Sequence, residues 1–122
     1  MFIPYCEFAR AVGVALPQSL VVRLHCMTIE WLTYQVPKKD RESFLKADAE
    51  IWTTILSEQA GFISKQTWLS SEKPDEINFV ICWQSKEHWK AVSKTLLQEI
   101  DKKFVEAVGR FELLEVLEYE VL

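Results

Sequence analysis

The 122-residue sequence has no basic excess, no metal-ligand spacing and no apolar run long enough to span a membrane. Each absence removes a class of function. Fourteen Lys and Arg against eighteen Asp and Glu leave a net charge of -4, whereas a nucleic-acid binder carries a basic footprint. No nucleic-acid partner is expected. The longest uncharged apolar run near the start, residues 11–16, stops at Pro17, far short of the ~20 residues of a membrane helix. Glu7 and Arg10 cancel where a secretory signal is positive, and His25 precedes Cys26 where a lipoprotein site needs a small residue. The expected location is therefore cytoplasmic, with no membrane partner. Three cysteines, Cys6, Cys26 and Cys82, leave one unpaired in any disulfide scheme and point to a reducing compartment. Two His without clustered ligands give no metal site. There is no G-x-G-x-x-G, phosphate loop, nucleophile elbow or Cys–His motif, so nucleotide binding and covalent catalysis lack a local signal, and no cofactor is expected.

What the chain does have is aromatic side chains, with five Trp, seven Phe and three Tyr, in a composition that is 49% hydrophobic and 26% charged. That suits one globular domain with its own core. Residues 1–26 carry only Glu7, Arg10 and Arg23 as charges and show no strong period. They read as an N-terminal extension: either a segment preceding the true start at Met27, or a short helix over 4–16 packed on the domain.

From Met27 the signals alternate. Residues 28–36 are β-branched and aromatic, and Pro37 closes that strand. A helix follows to about Gln59, with Phe44, Leu45, Ile51, Trp52, Ile55 and Leu56 on one arc and Gly61 as its stop. Residues 62–69 form a half-exposed strand with Lys65 and Gln66 as its wetter part, and the turn cluster 70–75 returns the chain as a hairpin. The strand over 77–84 is nearly all apolar, and Ser85 then caps a helix over 86–108 that Ser93 marks for a break. A long strand, 111–122, ends the chain, and its acidic run keeps an edge soluble. This β-α-β-β-α-β order predicts a ferredoxin-like α+β sandwich over 27–122, a four-stranded antiparallel sheet with two helices on one face.

Such a sheet has one apolar face too many. Ile29 and Trp31 oppose Leu32, Tyr34 and Val36; Val80 and Cys82 oppose Ile77, Phe79, Ile81 and Trp83; Phe111, Leu113, Leu117, Tyr119 and Val121 oppose Leu114, Val116 and Leu122. Two helices cover one face only, and a bare second face exceeds the few hundred Å² of apolar patch a soluble monomer shows. A second copy packed on it by two-fold symmetry is the expected partner.

Gly61-Phe62 and Trp83-x-Ser85-x-Glu87-x-Trp89 resemble the dimeric α+β-barrel superfamily, in particular its antibiotic-biosynthesis-monooxygenase-like domains. Ile29-Glu30-Trp31-Leu32, the run 48–53 (DAEIWT) and Glu118-Tyr119-Glu120-Val121 are similar to a small family of uncharacterised cyanobacterial proteins. The wider resemblance implies a homodimer whose relatives include cofactor-free oxygenases of polycyclic phenols and haem-degrading enzymes. The latter use a first-strand Asn, a third-strand Trp and a second-helix His. Trp83 and His88 stand roughly there, but the first strand has no Asn and the Trp-to-His spacing is short, which argues against haem degradation.

Asp48 falls inside the apolar arc of the first helix, where burial would raise its pKa and fit it for proton transfer. Alternatively it accepts a bond from an indole N–H or a backbone amide and only orients the core. His88, in the first turn of the second helix, is a candidate base or a partly exposed surface residue. Trp52 and Trp89 lie on core-facing stripes. Trp31, Trp68 and Trp83 are on strands and are candidates to bind a small aromatic molecule in a cavity, or to fill a subunit interface. Cys82 reads as a small buried hydrophobe. The reading is a cofactor-free oxygenase-like or isomerase-like enzyme on a small aromatic molecule, with a non-catalytic ligand-binding or assembly module as the alternative. A cavity of several hundred Å³ beside Asp48 favours the first and a filled interior the second.

Overall fold

The computed structural model describes residues 25–122; the helix expected over 4–16 and Cys6 lie outside them. Strand β1 (Thr28–Gln35) stops just before Pro37, which has no N–H to continue a ladder. One 3-10 turn (Lys38–Asp40) leads into α1, which is α-helical over Arg41–Ala47, widens to a π turn over Asp48–Thr53, and closes as an α-helix over Thr54–Leu56. Strands β2 (Phe62–Leu69) and β3 (Glu76–Trp83) form the hairpin. Helices α2 (Lys86–Lys90) and α3 (Lys94–Ala107) follow, then β4 (Glu112–Glu120). The sheet order is β2-β3-β1-β4 and every pair is antiparallel. This is the expected ferredoxin-like α+β architecture.

The helix expected over 86–108 is divided at Ser93, whose hydroxyl accepts the Leu96 amide at 3.3 Å and restarts the chain as α3. On the helix-facing side, Phe44 of α1 stacks on Phe79 of β3 and meets Phe104 of α3 edge-on, with ring centroids 6.2 and 5.2 Å apart. Val36 and Ile77 complete this half of the core, and Leu56, Phe62, Ile81, Trp83 and Val92 form the other. Each such side chain contributes roughly 1.5–3 kcal/mol on burial.

Among the described residues, no helix lies on the opposite face. Trp31 meets Trp68 and Tyr119 edge-on at 5.5 and 6.4 Å, and Trp68 and Tyr119 remain 49% and 50% exposed. Leu117 pairs with Trp31 and Val116 with Leu32, but a bulge then makes Tyr34 the partner of Leu113. Leu113 was expected to share a face with Leu117 and Tyr119. The extra residue at Leu114 turns it to the helix side instead.

Gly61 links α1 to β2 at φ +82°, and a Cβ there would come within 2.3 Å of the His88 ring. Gly61→Ala is expected to cost about 1–3 kcal/mol, because it combines left-handed backbone with displacement of an imidazole. Gly109→Ala is the control, with nothing within 4 Å of the new methyl. Equal urea midpoints for the two variants would contradict this.

Candidate functional site

The residues of the sheet's inner face and the helices above it enclose a cavity of about 360 Å³. Its floor is Glu30, Leu32 and Tyr34 of β1 with Phe79, Ile81 and Trp83 of β3. Its roof is Trp52 and Leu56 of α1 with Trp89, Val92 and Leu97. Gln98, Asp101 and Leu113 also line it. A volume in the range of roughly 300–1,000 Å³, mostly apolar walls and few polar groups are what small-molecule sites share.

Asp48 opens the π turn of α1 and is 6% exposed. In that wider turn residues five apart come together, which brings Thr53 close enough to Asp48 to favour its charged form. The principal partner is Lys65, whose ammonium donates to Oδ1 and Oδ2 at 2.8 and 2.7 Å. The carboxylate therefore rests on an ammonium, neither on an indole nor on a backbone amide alone. Lys65 overturns an expectation: in place of the wetter part of β2 it is 4% exposed, with Nζ 4.4 Å from the centroid of the Phe79 ring. Burial pushes the Asp48 carboxyl above its ordinary range and the Lys65 ammonium below its own, while their mutual attraction opposes both shifts. The pair stands between two spaces. It lines the inner cavity and also an outer cleft of about 440 Å³ bordered by Leu45, Ala49 and Leu69.

Glu30 is the second carboxylate of the cavity, and sequence reasoning passed over it. Its Oε1 accepts the Trp83 indole N–H at 3.1 Å. Burial raises its pKa above the ordinary 4.5, with the Trp83 bond and the charge of Lys65 pulling it back. The signal was available: Glu30 shares the strand parity of Leu32 and Tyr34, so a carboxylate fell on the core side. Lys65 shares parity with Ile63 and Leu69 in the same way. Trp52 adds a donor, since its indole N–H is buried and has no partner.

Of the three strand tryptophans proposed to bind a ligand, Trp83 is fully buried and lines the cavity. Trp31 and Trp68 lie on the open face and line no part of it. Trp31 bonds Thr33 at 3.0 Å and Trp68 bonds Gln66 at 2.9 Å. Trp52 and Trp89, expected only as packing, do line the cavity. His88 is held by Ser85 Oγ through its ring nitrogen at 2.7 Å and its backbone N–H at 3.1 Å, packs over Gly61, and is not among the cavity's lining residues. Cys82 is half-buried on the open face rather than fully buried. Hydrogen bonds from Cys26 and Ser64 hold its thiol down at about 7.

Among the described residues no group of three or more His, Cys, Asp or Glu is placed to hold a metal ion, and no helix is long and apolar enough to cross a membrane.

Solved structures of the same fold come from distant organisms. A conserved protein of Methanosarcina mazei Go1 is 16% identical over 82% of this chain and 97% of its own, with a TM-score of 0.60. A dimeric ferredoxin-like protein from an uncultured marine organism is 18% identical over 82% and 91%, with a TM-score of 0.60. A monooxygenase of Streptomyces coelicolor in complex with the ligand nanaomycin D is 11% identical over 80% and 88%, with a TM-score of 0.64. No curated protein matches the chain in sequence. The sequence pattern of the antibiotic biosynthesis monooxygenase family matches residues 27–107, from β1 through the end of α3. The chain belongs to the antibiotic biosynthesis monooxygenase family.

Proposed function

We propose that the inner cavity binds a small, flat aromatic molecule and that Glu30 moves a proton on it, in an oxygenase-like or isomerase-like reaction that needs no cofactor. The observation that carries this reading is the coincidence of an aromatic-walled space of about 360 Å³ with a desolvated carboxylate at its floor. Asp48, the first candidate for that role, already shares its charge with Lys65. Glu30 has a single indole donor on Oε1, so it is the carboxylate better suited to accept a substrate proton. Trp83 fixes Glu30 from within the core, and the partly exposed Trp52 and Trp89 offer ring faces for stacking. The Streptomyces coelicolor monooxygenase, which holds a ligand, is a precedent for small-molecule binding on this fold.

The test is quenching of tryptophan fluorescence by a set of aromatic compounds that includes 2-naphthol. Saturable quenching at one ligand per chain, weakened at least tenfold by Trp83→Phe, is expected. The absence of any saturable ligand would leave only the non-catalytic assembly module.

The same reading includes a homodimer built through the open face, where Trp31, Trp68, Leu117 and Tyr119 meet a second copy. The dimeric marine relative supports it, as does the exposure of Trp68 and Tyr119. Trp31→Glu would place a charge at the centre of that face. Light scattering at micromolar concentration is expected to give a dimer for the parent and a monomer for the variant; a monomeric parent would sink the idea. The narrower similarity to cyanobacterial proteins is part of this proposal and supplies no reaction.

A further inference from the structure

We propose that Lys65 is a carbonyl-capturing amine, which forms a protonated imine with an aromatic aldehyde or ketone held in the inner cavity. This deepens the proposed function and rests on the cavity being a ligand site. Four observations lead to it. Lys65 is the only lysine among the described residues lining the cavity, and its side chain is 5% exposed. An amine in such a place is a nucleophile once it is unprotonated. Both Asp48 oxygens lie within 2.8 Å of Nζ, so a proton acceptor is already in contact. Burial makes the ammonium a stronger acid and the carboxylate a stronger base, which favours that transfer. Finally, Trp52 lines the same cavity and its buried indole N–H has no partner, which leaves a donor at the cavity wall suited to a carbonyl oxygen.

The chemistry balances without an oxidant or reductant. The Lys65 ammonium gives a proton to Asp48, and the freed lone pair attacks the carbonyl carbon. The C=O π pair moves to oxygen, which takes the proton from Asp48; Asp48 then regains one from the nitrogen. A last transfer from Asp48 to the hydroxyl lets the C–O bond break, and water leaves as nitrogen closes the C=N bond. Ammonium and carbonyl become iminium and water, and Asp48 ends as the carboxylate. The cation formed stays against Asp48 and the Phe79 ring, with the Glu30 charge acting on the same nitrogen. A pair that served packing alone would not need an open cavity on its inner side.

The experiment treats the full chain with 1-naphthaldehyde and sodium cyanoborohydride, which reduces an imine to a stable amine, and maps the adduct by peptide mass spectrometry. Lys65 is expected to be labelled at least tenfold faster than any other lysine, and 2-naphthol to suppress that labelling. Asp48→Asn is expected to slow it at least tenfold, and Lys65→Met to remove it. Because either variant can be poorly folded, the decisive reading is the label's position in the unmutated protein. Labelling confined to exposed lysines, or none at all, overturns the proposal. If 2-naphthol still quenches tryptophan fluorescence in that case, the ligand-site reading survives; if it does not, both fall.

Discussion

Lys65→Met is expected to destabilise the protein by about 3–5 kcal/mol, the usual cost of leaving one member of a buried ion pair without its partner. The methionine fills the space of the lysine stem but strands the Asp48 carboxylate, which is 6% exposed. The pair itself is a different matter, because desolvation of two charges cancels most of their attraction. The double variant Asp48→Leu with Lys65→Met is therefore expected to return to within about 1 kcal/mol of the parent, or to exceed it. The pH dependence follows from the same stranded carboxylate. Without Lys65 the folded-state pKa of Asp48 lies further above its unfolded value, since burial already raises it and the opposing charge is gone. Between those two values the folded state holds the extra proton, so stability falls as pH rises. The single variant's deficit should shrink steadily as pH drops toward 3.8, the ordinary value for this group. Urea unfolding of the parent, the single and the double variants at two pH values measures all of this. A single variant within about 1 kcal/mol of the parent at neutral pH would contradict the pairing argument.

Glu30→Gln is expected to move activity and stability in opposite directions. As the proposed proton carrier, Glu30 should account for roughly 10²–10⁴-fold in the turnover of whatever substrate the fluorescence screen yields. Glutamine keeps an oxygen for the Trp83 N–H, now at 3.1 Å, so the geometry of the floor survives. What disappears is the cost of ionising a buried carboxyl. The folded pKa of Glu30 is raised, so the parent loses stability as pH climbs from 4.5 through the folded value. The variant should therefore melt higher than the parent at pH 8, and the two should converge near pH 4.5. Unchanged turnover would assign Glu30 to the core alone. Equal melting temperatures at pH 8 would show that its carboxyl is well solvated.

The fold was legible because its determinants are local. Pro37, Gly61, the 70–75 turn cluster, Ser85 and Gly109 punctuate the chain, and strand or helix periods fill the intervals. The position of Asp48 was legible too, as a carboxylate inside an apolar arc. Its partner was not, since a lysine in a strand reads as a solvated residue unless its parity is set against the core. Lys65 lies on the inward parity of β2, and only the tertiary approach of α1 supplies the counter-charge. The same limit hid Glu30, whose indole donor is 53 residues away. Trp31 and Trp68 needed a face assignment: composition placed them on strands, and only the paired register says which side of the sheet they occupy.

The bulge between Thr33 and Tyr34 lets one strand serve two masters of opposite parity. A strictly alternating β4 would send Leu113, Leu117 and Tyr119 to the same side, and the strand would furnish either the pocket or the contact surface. The single extra residue separates them, so that Leu113 closes the cavity while Leu117 and Tyr119 stay on the outside. Deletion of Leu114 would shorten the spacing of Leu113 to Leu117 by one and remove the bulge, leaving Leu113 inside and Leu117 outside on a regular ladder, so ligand binding and self-association should both survive it.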